Sequence, residues 1–369
     1  MVDIRSFVYK DKKRDIAQFK GPIVVWNLTS RCNLDCIHCY AAKEKKSIRE
    51  IPKKVCLKTI KELKVLKTPL VIFSGGEPLL YKDIFNLSRF AIKNSIKVSL
   101  SSNGTLIDAK MASLIKKSGI GYVGISIDGM KATHDFLRNK KGAFEKSIKA
   151  IENCKKDRVK VGIRFTIARY NIRDLKAVLN LTQSLQVDRF CLYNLVYSGR
   201  GAKLVDNDLS IWQRRKVVDE LVEFVEKTNG EIEVLTTDSP CDGVYLMNKF
   251  NLKNLDLSGC SAGEKIINID EAGFIHPCQF WHDYNIGNIR NDKISSVLKK
   301  DALVLKLKDK GRFLKDKCGQ CIYKQLCFGC RVRAKAIYDD LWGKDPSCYL
   351  SDKEVRNEIS KVSSAQTAQ

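Results

Sequence analysis

The sequence predicts an α/β fold in which a parallel sheet with crossover helices precedes a smaller, cysteine-rich domain. Two observations favour this fold. Between residues 22 and 225, short β-rich runs alternate six times with stretches whose apolar residues recur at helical spacing. After about residue 230 the alternation stops, the elements shorten and cysteines accumulate. Six strand–helix units suit a partial (β/α)6 barrel or an open doubly wound sheet.

The elements follow one another in a regular order. Each predicted strand is rich in β-branched or aromatic residues, which favour extended backbone. The predicted strands lie at 22–29, 69–76, 97–104, 121–129, 160–167 and 189–196. In the first predicted helix, Cys56, Ile60 and Leu63 recur at helical spacing. The predicted helices span 53–66, 84–94, 107–117, 143–155, 172–184 and 209–228.

The alternation also predicts the domain limits. We expect an N-terminal extension at 1–21, a partial barrel at 22–230, a cysteine-rich domain at 231–352 and a C-terminal tail at 353–369. The chain is 44% hydrophobic, which suffices for a full core. It has no apolar run long enough to span a bilayer and no secretory signal. We therefore predict a cytoplasmic protein without a membrane partner.

Fourteen cysteines in a cytoplasmic chain indicate metal or redox chemistry, because disulfides are disfavoured there. Cys56, Cys154 and Cys191 stand alone among apolar residues and are predicted to be small buried hydrophobes. The formal net charge of +24 favours an acidic partner or substrate. The lysines are spread along the whole chain, so a lysine-biased composition is an equal alternative. This dispersion argues against a nucleic-acid partner.

Polar and glycine-rich residues fall where the predicted strands end, the edge at which parallel α/β folds build their sites. The cysteines of "RCNLDCIHCY" follow the first strand. The next four strands contribute Gly75, Gly76, Glu77 and Pro78, then Ser102 and Asn103, then Ser126 and Asp128, and then Arg164. Residues from five strands on one rim predict a single site.

Cys32, Cys36 and Cys39 stand at a Cys-x₃-Cys-x₂-Cys spacing. Thiolates on such a loop suit a four-iron cluster in which three cysteines bind three irons and the fourth iron stays open for an exchangeable ligand. Zinc is the competing metal. A structural zinc site needs four ligands, and no second cysteine pair lies nearby in the sequence. His38, wedged between Cys36 and Cys39, would be the candidate for a fourth zinc ligand.

This motif, together with "GGEP" at 75–78 and "SSNGT" at 101–105, resembles the radical S-adenosylmethionine (SAM) enzymes over residues 22–225. The resemblance implies that the open iron binds SAM, that the reduced cluster cleaves it to a 5′-deoxyadenosyl radical, and that this radical abstracts a substrate hydrogen. It also implies the SAM contacts. They are Gly75, Gly76, Glu77 and Pro78 at the amino group, Ser102, Asn103 and Ser126 at the ribose, Arg164 at the carboxylate, and His38 at the adenine.

The cysteine-rich domain resembles the SPASM extension of radical-SAM enzymes, which carries auxiliary four-iron clusters. The resemblance implies two ligand sets: Cys318, Cys321, Cys327 and Cys348 ligate one cluster fully, and Cys260, Cys278 and Cys330 ligate the other. Family members place an extra cysteine close to the position of Cys260, and this chain does not. The second cluster therefore has an open iron, is completed by a distant residue such as Cys241, or is absent.

Zinc is again the alternative for the two Cys-x₂-Cys pairs of "CGQCIYKQLCFGC". Zinc ribbons usually separate such pairs by about fifteen residues or more, whereas the gap here is five. Zinc would also leave the cysteines on either side of this run unexplained. We therefore expect iron–sulfur clusters in this domain.

Segments 195–201, 276–288 and 331–355 resemble the radical-SAM enzymes of tetrapyrrole modification in alternative heme and d-type heme biosynthesis. The resemblance implies an enzyme that alters acetate or propionate side chains of an iron tetrapyrrole. Such a substrate carries several carboxylates, and the chain is strongly basic.

Three arginines are candidates for binding those carboxylates. Arg200, Arg331 and Arg333 could clamp a carboxylate through two parallel hydrogen bonds. For Arg331 and Arg333 a structural ion pair is the alternative. His276, His282 and Cys278 could approach a substrate iron, although buried, satisfied histidines are commoner.

The sequence leaves two other functions open. One is a SPASM-type peptide or protein maturase that forms thioether or carbon–carbon crosslinks, although no peptide-recognition domain precedes the core. The other is a basic zinc protein that binds nucleic acid, against which the dispersed lysines argue. For a radical-SAM enzyme, a low-potential ferredoxin or flavodoxin is the expected electron donor.

Overall fold

The computed structural model of the chain describes residues 1–9, 19–41, 50–252, 257 and 259–356. Part of the expected N-terminal extension and the tail beyond residue 356 lie outside the described residues. The described part is organised around one sheet of eleven strands. The strands are β1 (Val2–Asp3), β2 (Ile23–Asn27), β3 (Leu70–Ser74), β4 (Lys97–Ser102), β5 (Tyr122–Ser126), β6 (Lys160–Ile167), β7 (Arg189–Asn194), β8 (Glu233–Thr237), β9 (Ile266–Ile269), β10 (Phe274–His276) and β11 (Gly287–Asn288).

The sheet has the strand order β1-β8-β7-β6-β5-β4-β3-β2-β9-β10-β11. Strands β2 to β8 pair in parallel, and β9 pairs in parallel with β2. The edges are antiparallel, through β1 on one side and the β9–β10–β11 meander on the other. This parallel core with a C-terminal cysteine-rich part confirms the predicted fold class, and every predicted strand is present.

Helices cover the parallel strands and build the C-terminal part. They are α1 (Arg5–Val8), α2 (Lys53–Val65), α3 (Ile84–Lys93), α4 (Ala109–Lys117), α5 (Lys131–Arg138), α6 (Ala143–Lys156), α7 (Leu175–Ser184), α8 (Ile211–Lys227), α9 (Cys241–Lys249), α10 (Ile294–Lys300), α11 (Ala302–Lys308), α12 (Asp316–Gln320), α13 (Lys324–Cys327), α14 (Arg331–Tyr338) and α15 (Asp352–Arg356). Short 3₁₀ turns lie at Pro78–Leu80, Ile172–Asp174, Gly199–Asn207 and Lys310–Arg312.

The helices pack through the predicted apolar positions. In α2 the side chains of Cys56, Ile60 and Leu63 are buried, as their spacing predicts. The isolated Cys154 and Cys191 are buried too, which confirms that these cysteines serve as small core residues. Within the residues described, no helix is long and apolar enough to cross a membrane.

Two elements differ from the sequence-based expectation. Helix α5 was not predicted, because its buried positions are His134, Leu137 and Arg138, which is a weak apolar pattern. Strand β8 continues the parallel sheet beyond residue 230 by pairing with β7. The predicted domain limits stay predictions, and the parallel sheet continues across the one at residue 230.

A buried ion pair holds the last part of the cysteine-rich region together. The Arg333 guanidinium donates to both carboxylate oxygens of Asp345, at 3.0 and 3.1 Å, and both side chains are fully buried. Arg331, also fully buried, donates to the backbone carbonyls of Leu341 and Gly343. The hypothesis that Arg331 and Arg333 clamp substrate carboxylates is therefore wrong, since their donors are already used inside the protein.

This pair predicts a stability effect. Replacing Arg333 with methionine should lower the free energy of unfolding by about 3–5 kcal/mol, because Asp345 would remain as an uncompensated buried charge. Anaerobic urea unfolding measures the change. Lys335→Ala on the same helix is the matched control, and it should leave stability nearly unchanged, since Lys335 pairs only with exposed Asp339. An Arg333→Met protein as stable as its parent would contradict the structural role.

Candidate active site

The cysteine loop, residues 28–41, leaves the carboxyl end of β2 and lies against the glycine turn that follows β3. The backbone N–H groups of Gly76 and Glu77 donate to the carbonyl oxygens of Thr29, at 2.8 Å, and Arg31, at 2.7 Å. A side-chain carbon on Gly76 would lie 2.1 Å from the Arg31 carbonyl oxygen, so only glycine fits there. Strand register thus brings the cysteines and the glycine pair to one edge.

A first cavity, of about 140 Å³, opens at this edge. It is lined by most of the residues that were predicted to hold the cluster and SAM: Cys32, Cys36, Cys39, His38, Gly75, Gly76, Ser102, Asn103, Ser126 and Arg164. Ser126 and Arg164 are register partners on β5 and β6, so they lie side by side. The structure brings these residues together, and their individual roles toward SAM stay predictions.

Glu77 and Pro78 do not line the first cavity. The Glu77 side chain is fully buried and accepts hydrogen bonds from the Ser102 hydroxyl, at 2.9 Å, and from the Asn103 backbone N–H, also at 2.9 Å. Burial raises the pKa of this carboxyl to about 7. In the structure Glu77 therefore fixes the end of β4 beneath the cavity, and a direct contact with the SAM amino group stays a prediction.

Asp128 organises two side chains of the first cavity. Its carboxylate is fully buried and pairs with Arg138 and with Nε2 of His38, the latter at 3.1 Å. Burial alone would raise the pKa of Asp128, but Arg138 and His38 hold it well below its usual range. Asp128 is thus an anion that orients His38, which makes His38 a poor candidate for a zinc ligand.

Arg138 is a site residue that sequence reasoning missed. Its guanidinium is almost fully buried and donates to Sγ of Cys36 at 3.5 Å. A buried cation beside a thiolate favours the charged form that binds iron. The available signal was weak, because Arg138 ends the unpredicted helix α5, where nothing in the local sequence points to Cys36.

A second cavity, of about 230 Å³, shares a wall with the first. The shared wall consists of Tyr40, Ser74, Ser101, Arg164, Tyr193, Asp238, Gln279 and Phe280. The rings of Tyr40 and Phe280 meet edge to face, with centroids 5.0 Å apart. The second cavity is also lined by Cys260, Cys278 and Cys330, so the set for which an open iron is one of the predicted alternatives faces the space beside the first cavity.

A third, small cavity of about 20 Å³ collects the other set, Cys318, Cys321, Cys327 and Cys348. Cys241 lines this third cavity together with Cys348, and it does not line the second cavity. The hypothesis that Cys241 completes the set of Cys260, Cys278 and Cys330 is therefore wrong. Cys241 joins this other cysteine set because α9 packs against the C-terminal segments, and sequence spacing does not reveal that packing.

The donors at these three cavities fit iron–sulfur clusters. All fourteen cysteines of the chain are free thiols. Within the part of the chain that the structure describes, no three His, Cys, Asp or Glu side chains converge on the position of one metal ion. Thiols spread around a cavity suit a cluster of several irons, which holds its ligands further apart than a single ion does.

The remaining substrate candidates are not among the residues that line these three cavities. Arg200 pairs with Asp35 on the cysteine loop, so it braces that loop. His276 is buried between the carbonyl of Tyr284, at 2.8 Å, and the carboxylate of Asp270. It is a core histidine, with Nδ1 hydrogen-bonded to that carbonyl and Nε2 in contact with the carboxylate at 3.4 Å. His282 stacks on Tyr40 at a centroid distance of 6.2 Å, close to the shared wall.

The contact between Arg138 and Cys36 predicts an effect on cluster retention. Replacing Arg138 with methionine should weaken iron binding at Cys32, Cys36 and Cys39 by an order of 10- to 100-fold, because the thiolate loses its buried counter-charge. Iron loss to a chelator under anaerobic conditions measures this, and Lys131→Met on the exposed side of the same helix is the control. Equal iron loss from both variants would contradict the assigned role of Arg138.

Comparison with known proteins agrees with this geometry. The sequence profile of the radical SAM superfamily matches residues 26–182, and that of an iron–sulfur cluster-binding domain, SPASM, matches residues 260–322. Fe-coproporphyrin III synthase of Methanosarcina barkeri is 39% identical over 357 residues, which cover 91% of this chain and 90% of that protein. Pre-heme d1 synthase of Dinoroseobacter shibae is 36% identical over 353 residues, covering 90% and 87%.

The structure is also similar to that of Streptococcus suis SuiB bound to S-adenosylmethionine. The TM-score is 0.74 at 19% identity, over 90% of this chain and 78% of that chain, which shows a shared fold. The four-iron cluster that binds SAM and the auxiliary clusters of the C-terminal part follow from the two matched domains. The chain belongs to the radical SAM superfamily, in the group whose core is followed by a SPASM domain.

Proposed function

We propose that this enzyme uses SAM-derived radical chemistry to modify acetate or propionate side chains of an iron tetrapyrrole. The observation that carries the proposal is the similarity, along nearly the whole chain, to Fe-coproporphyrin III synthase and to pre-heme d1 synthase. Both proteins are named for tetrapyrrole products, and in each alignment more than a third of the residues are identical to those of this chain. Shared cavities and cysteine sets are expected at that similarity.

The residues around the first cavity support this function in two ways: they would bind the cluster and SAM, and they would limit the access of water. When bound, the cluster and SAM supply the radical. Cys32, Cys36 and Cys39 would hold three irons, with Arg138 as the buried counter-charge of Cys36. The close approach of Gly76 to the cysteine loop keeps the backbone near the ligand. The partly apolar lining of the cavity, which includes Phe280, limits the contact of a reactive species with water.

The second cavity supports a substrate that is largely apolar but carries carboxylates. Its lining includes Ile23, Val25, Ile72 and Phe280, beside the cationic Arg164 and Lys265. A flat macrocycle with acidic side chains needs both kinds of surface. Cys260, Cys278 and Cys330 would ligate a cluster whose open iron faces this substrate.

A SPASM-type peptide maturase is the alternative, and it has less support. The similarity to SuiB rests on the fold, because only 19% of residues are identical. The two curated relatives above cover the chain at roughly twice that identity, and neither is named as a peptide maturase. Offering a tetrapyrrole and a peptide in the same assay separates the two functions.

The decisive test is anaerobic incubation of the holoenzyme with SAM, a reductant and candidate iron tetrapyrroles, followed by mass spectrometry. We expect 5′-deoxyadenosine together with a tetrapyrrole that has lost mass from its acetate or propionate groups. The variant with Cys32, Cys36 and Cys39 replaced by alanine should form neither product. Cys278→Ala should still cleave SAM but should not convert the tetrapyrrole, since the first cavity is built from other residues.

Each part of the proposal can fail separately in this assay. SAM cleavage by the triple variant would contradict the cluster assignment. A tetrapyrrole left unchanged while a peptide is modified would favour the maturase alternative. Full conversion by Cys278→Ala would remove the second cysteine set from the mechanism.

We further infer that an acidic ferredoxin or flavodoxin delivers the electron and that the enzyme works in the cytoplasm. The net charge of +24 supports docking of an acidic partner. Fourteen free thiols and clusters that react with oxygen suit a reducing compartment.

Electrostatic docking of this donor predicts a strong dependence on salt. The rate of SAM cleavage with a ferredoxin or flavodoxin should fall steeply with ionic strength, because salt screens the attraction between exposed charges. Titanium citrate, a small chemical reductant that needs no protein docking, is the control and should show little salt dependence. If the rate with the protein donor stays constant up to several hundred millimolar salt, electrostatic docking is contradicted. The positive charge would then reflect only a lysine-biased composition.

A further inference from the structure

We propose that Cys241 is a ligand of the auxiliary cluster in the third cavity, interchangeable with Cys348. The inference concerns metal binding by the SPASM part and is independent of the substrate proposed above. Four cysteines suffice for a four-iron cluster, yet the third cavity is lined by five: Cys241, Cys318, Cys321, Cys327 and Cys348. The cluster that these cysteines suit thus has one thiol more than it needs.

Cys241 and Cys348 both line the third cavity, which is small enough to bring their side chains close together. Cys241 is the first residue of α9 and is only 2% exposed. The hydroxyl of Ser239 lies 3.5 Å from its Sγ. Cys348 is half-buried, so Cys241 is the better shielded of the two.

Two hydrogen bonds fix α9 against the segments that carry the other cysteines. The Tyr349 hydroxyl donates to Oδ1 of Asp242 at 2.9 Å, which ties the residues next to Cys348 and Cys241 together. Tyr323 lies two residues after Cys321, and its hydroxyl donates to Oδ1 of Asn248 at 2.8 Å. The backbone of Cys241 is therefore held beside the third cavity by contacts at both ends of its helix.

Two adjacent thiols at one corner of a cluster give a simple division of roles. One would bind iron, and the other would remain beside it as a spare thiol. Because both line the same small cavity, either thiol could take the iron when the other is removed. An ordinary buried cysteine would behave differently, since it could not rescue a missing ligand.

The test counts auxiliary iron in protein that lacks the SAM cluster. In a background with Cys32, Cys36 and Cys39 replaced by alanine, only the SPASM part contributes iron and acid-labile sulfide. Cys241→Ala, Cys348→Ala and the double variant are purified anaerobically and compared with Cys191→Ala, a buried cysteine of the core. Circular dichroism checks folding, and serine versions replace any alanine variant that does not fold.

We expect each single variant to keep the iron of the background. The double variant should lose about four irons, one cluster's worth, because the third cavity, at about 20 Å³, has no room for an outside ligand at the vacated iron. Electron paramagnetic resonance of the reduced Cys348→Ala protein should show a shifted cluster signal, not a missing one. Loss of the cluster in either single variant would overturn the interchange, and so would a double variant that keeps all of its iron. No substrate is present, so the result does not depend on the proposed tetrapyrrole chemistry.

Discussion

The parallel pairing of β2 with β3 is the constraint on which the rest of the site depends. Register partners Asn27 and Ser74 end the two strands together, so the cysteine loop and the glycine turn leave the sheet side by side. The Leu28 backbone N–H then donates to the Ser74 carbonyl at 2.9 Å and extends the ladder into the loops. A slip of one residue would reverse the faces and separate the cysteines from the glycines.

Buried arginines recur beside the cysteine sets. Arg138 donates to Cys36, and Arg331 donates to Sγ of Cys318 at 3.7 Å. Each carries a positive charge into a region where thiolates gather, and an unpaired thiolate there would be costly. The arginines that sequence reasoning assigned to the substrate have partners inside the protein: Arg200 pairs with Asp35, Arg333 pairs with Asp345, and Arg331 donates to Cys318 and to backbone carbonyls. Arg164 remains as the guanidinium on the shared cavity wall.

The parallel core was predictable because its signals are local. Each strand is a short β-rich run, and each rim residue follows its own strand, so topology alone collects them. Helix α5 escaped because Arg138, a polar residue, occupies its buried face. An ion pair of Arg333 was foreseen only as an alternative, because its partner Asp345 lies twelve residues further along, across a turn. Cys241 escaped for the same reason, since its neighbour Cys348 is fixed only by tertiary contacts.

The two auxiliary cysteine sets differ in their surroundings, and that difference supports separate tasks. Cys260, Cys278 and Cys330 line a cavity of about 230 Å³ that shares a wall with the SAM site. The other set encloses only about 20 Å³. A substrate can reach the first set but has no room at the second. An enclosed cluster with surplus ligands suits structure and electron transfer, because neither task needs an open iron. The Tyr40–Phe280 contact joins the cysteine loop to the segment that carries Cys278. It lies on the wall that the first and second cavities share, so a radical formed at the first cavity would have to pass this contact to reach a substrate in the second.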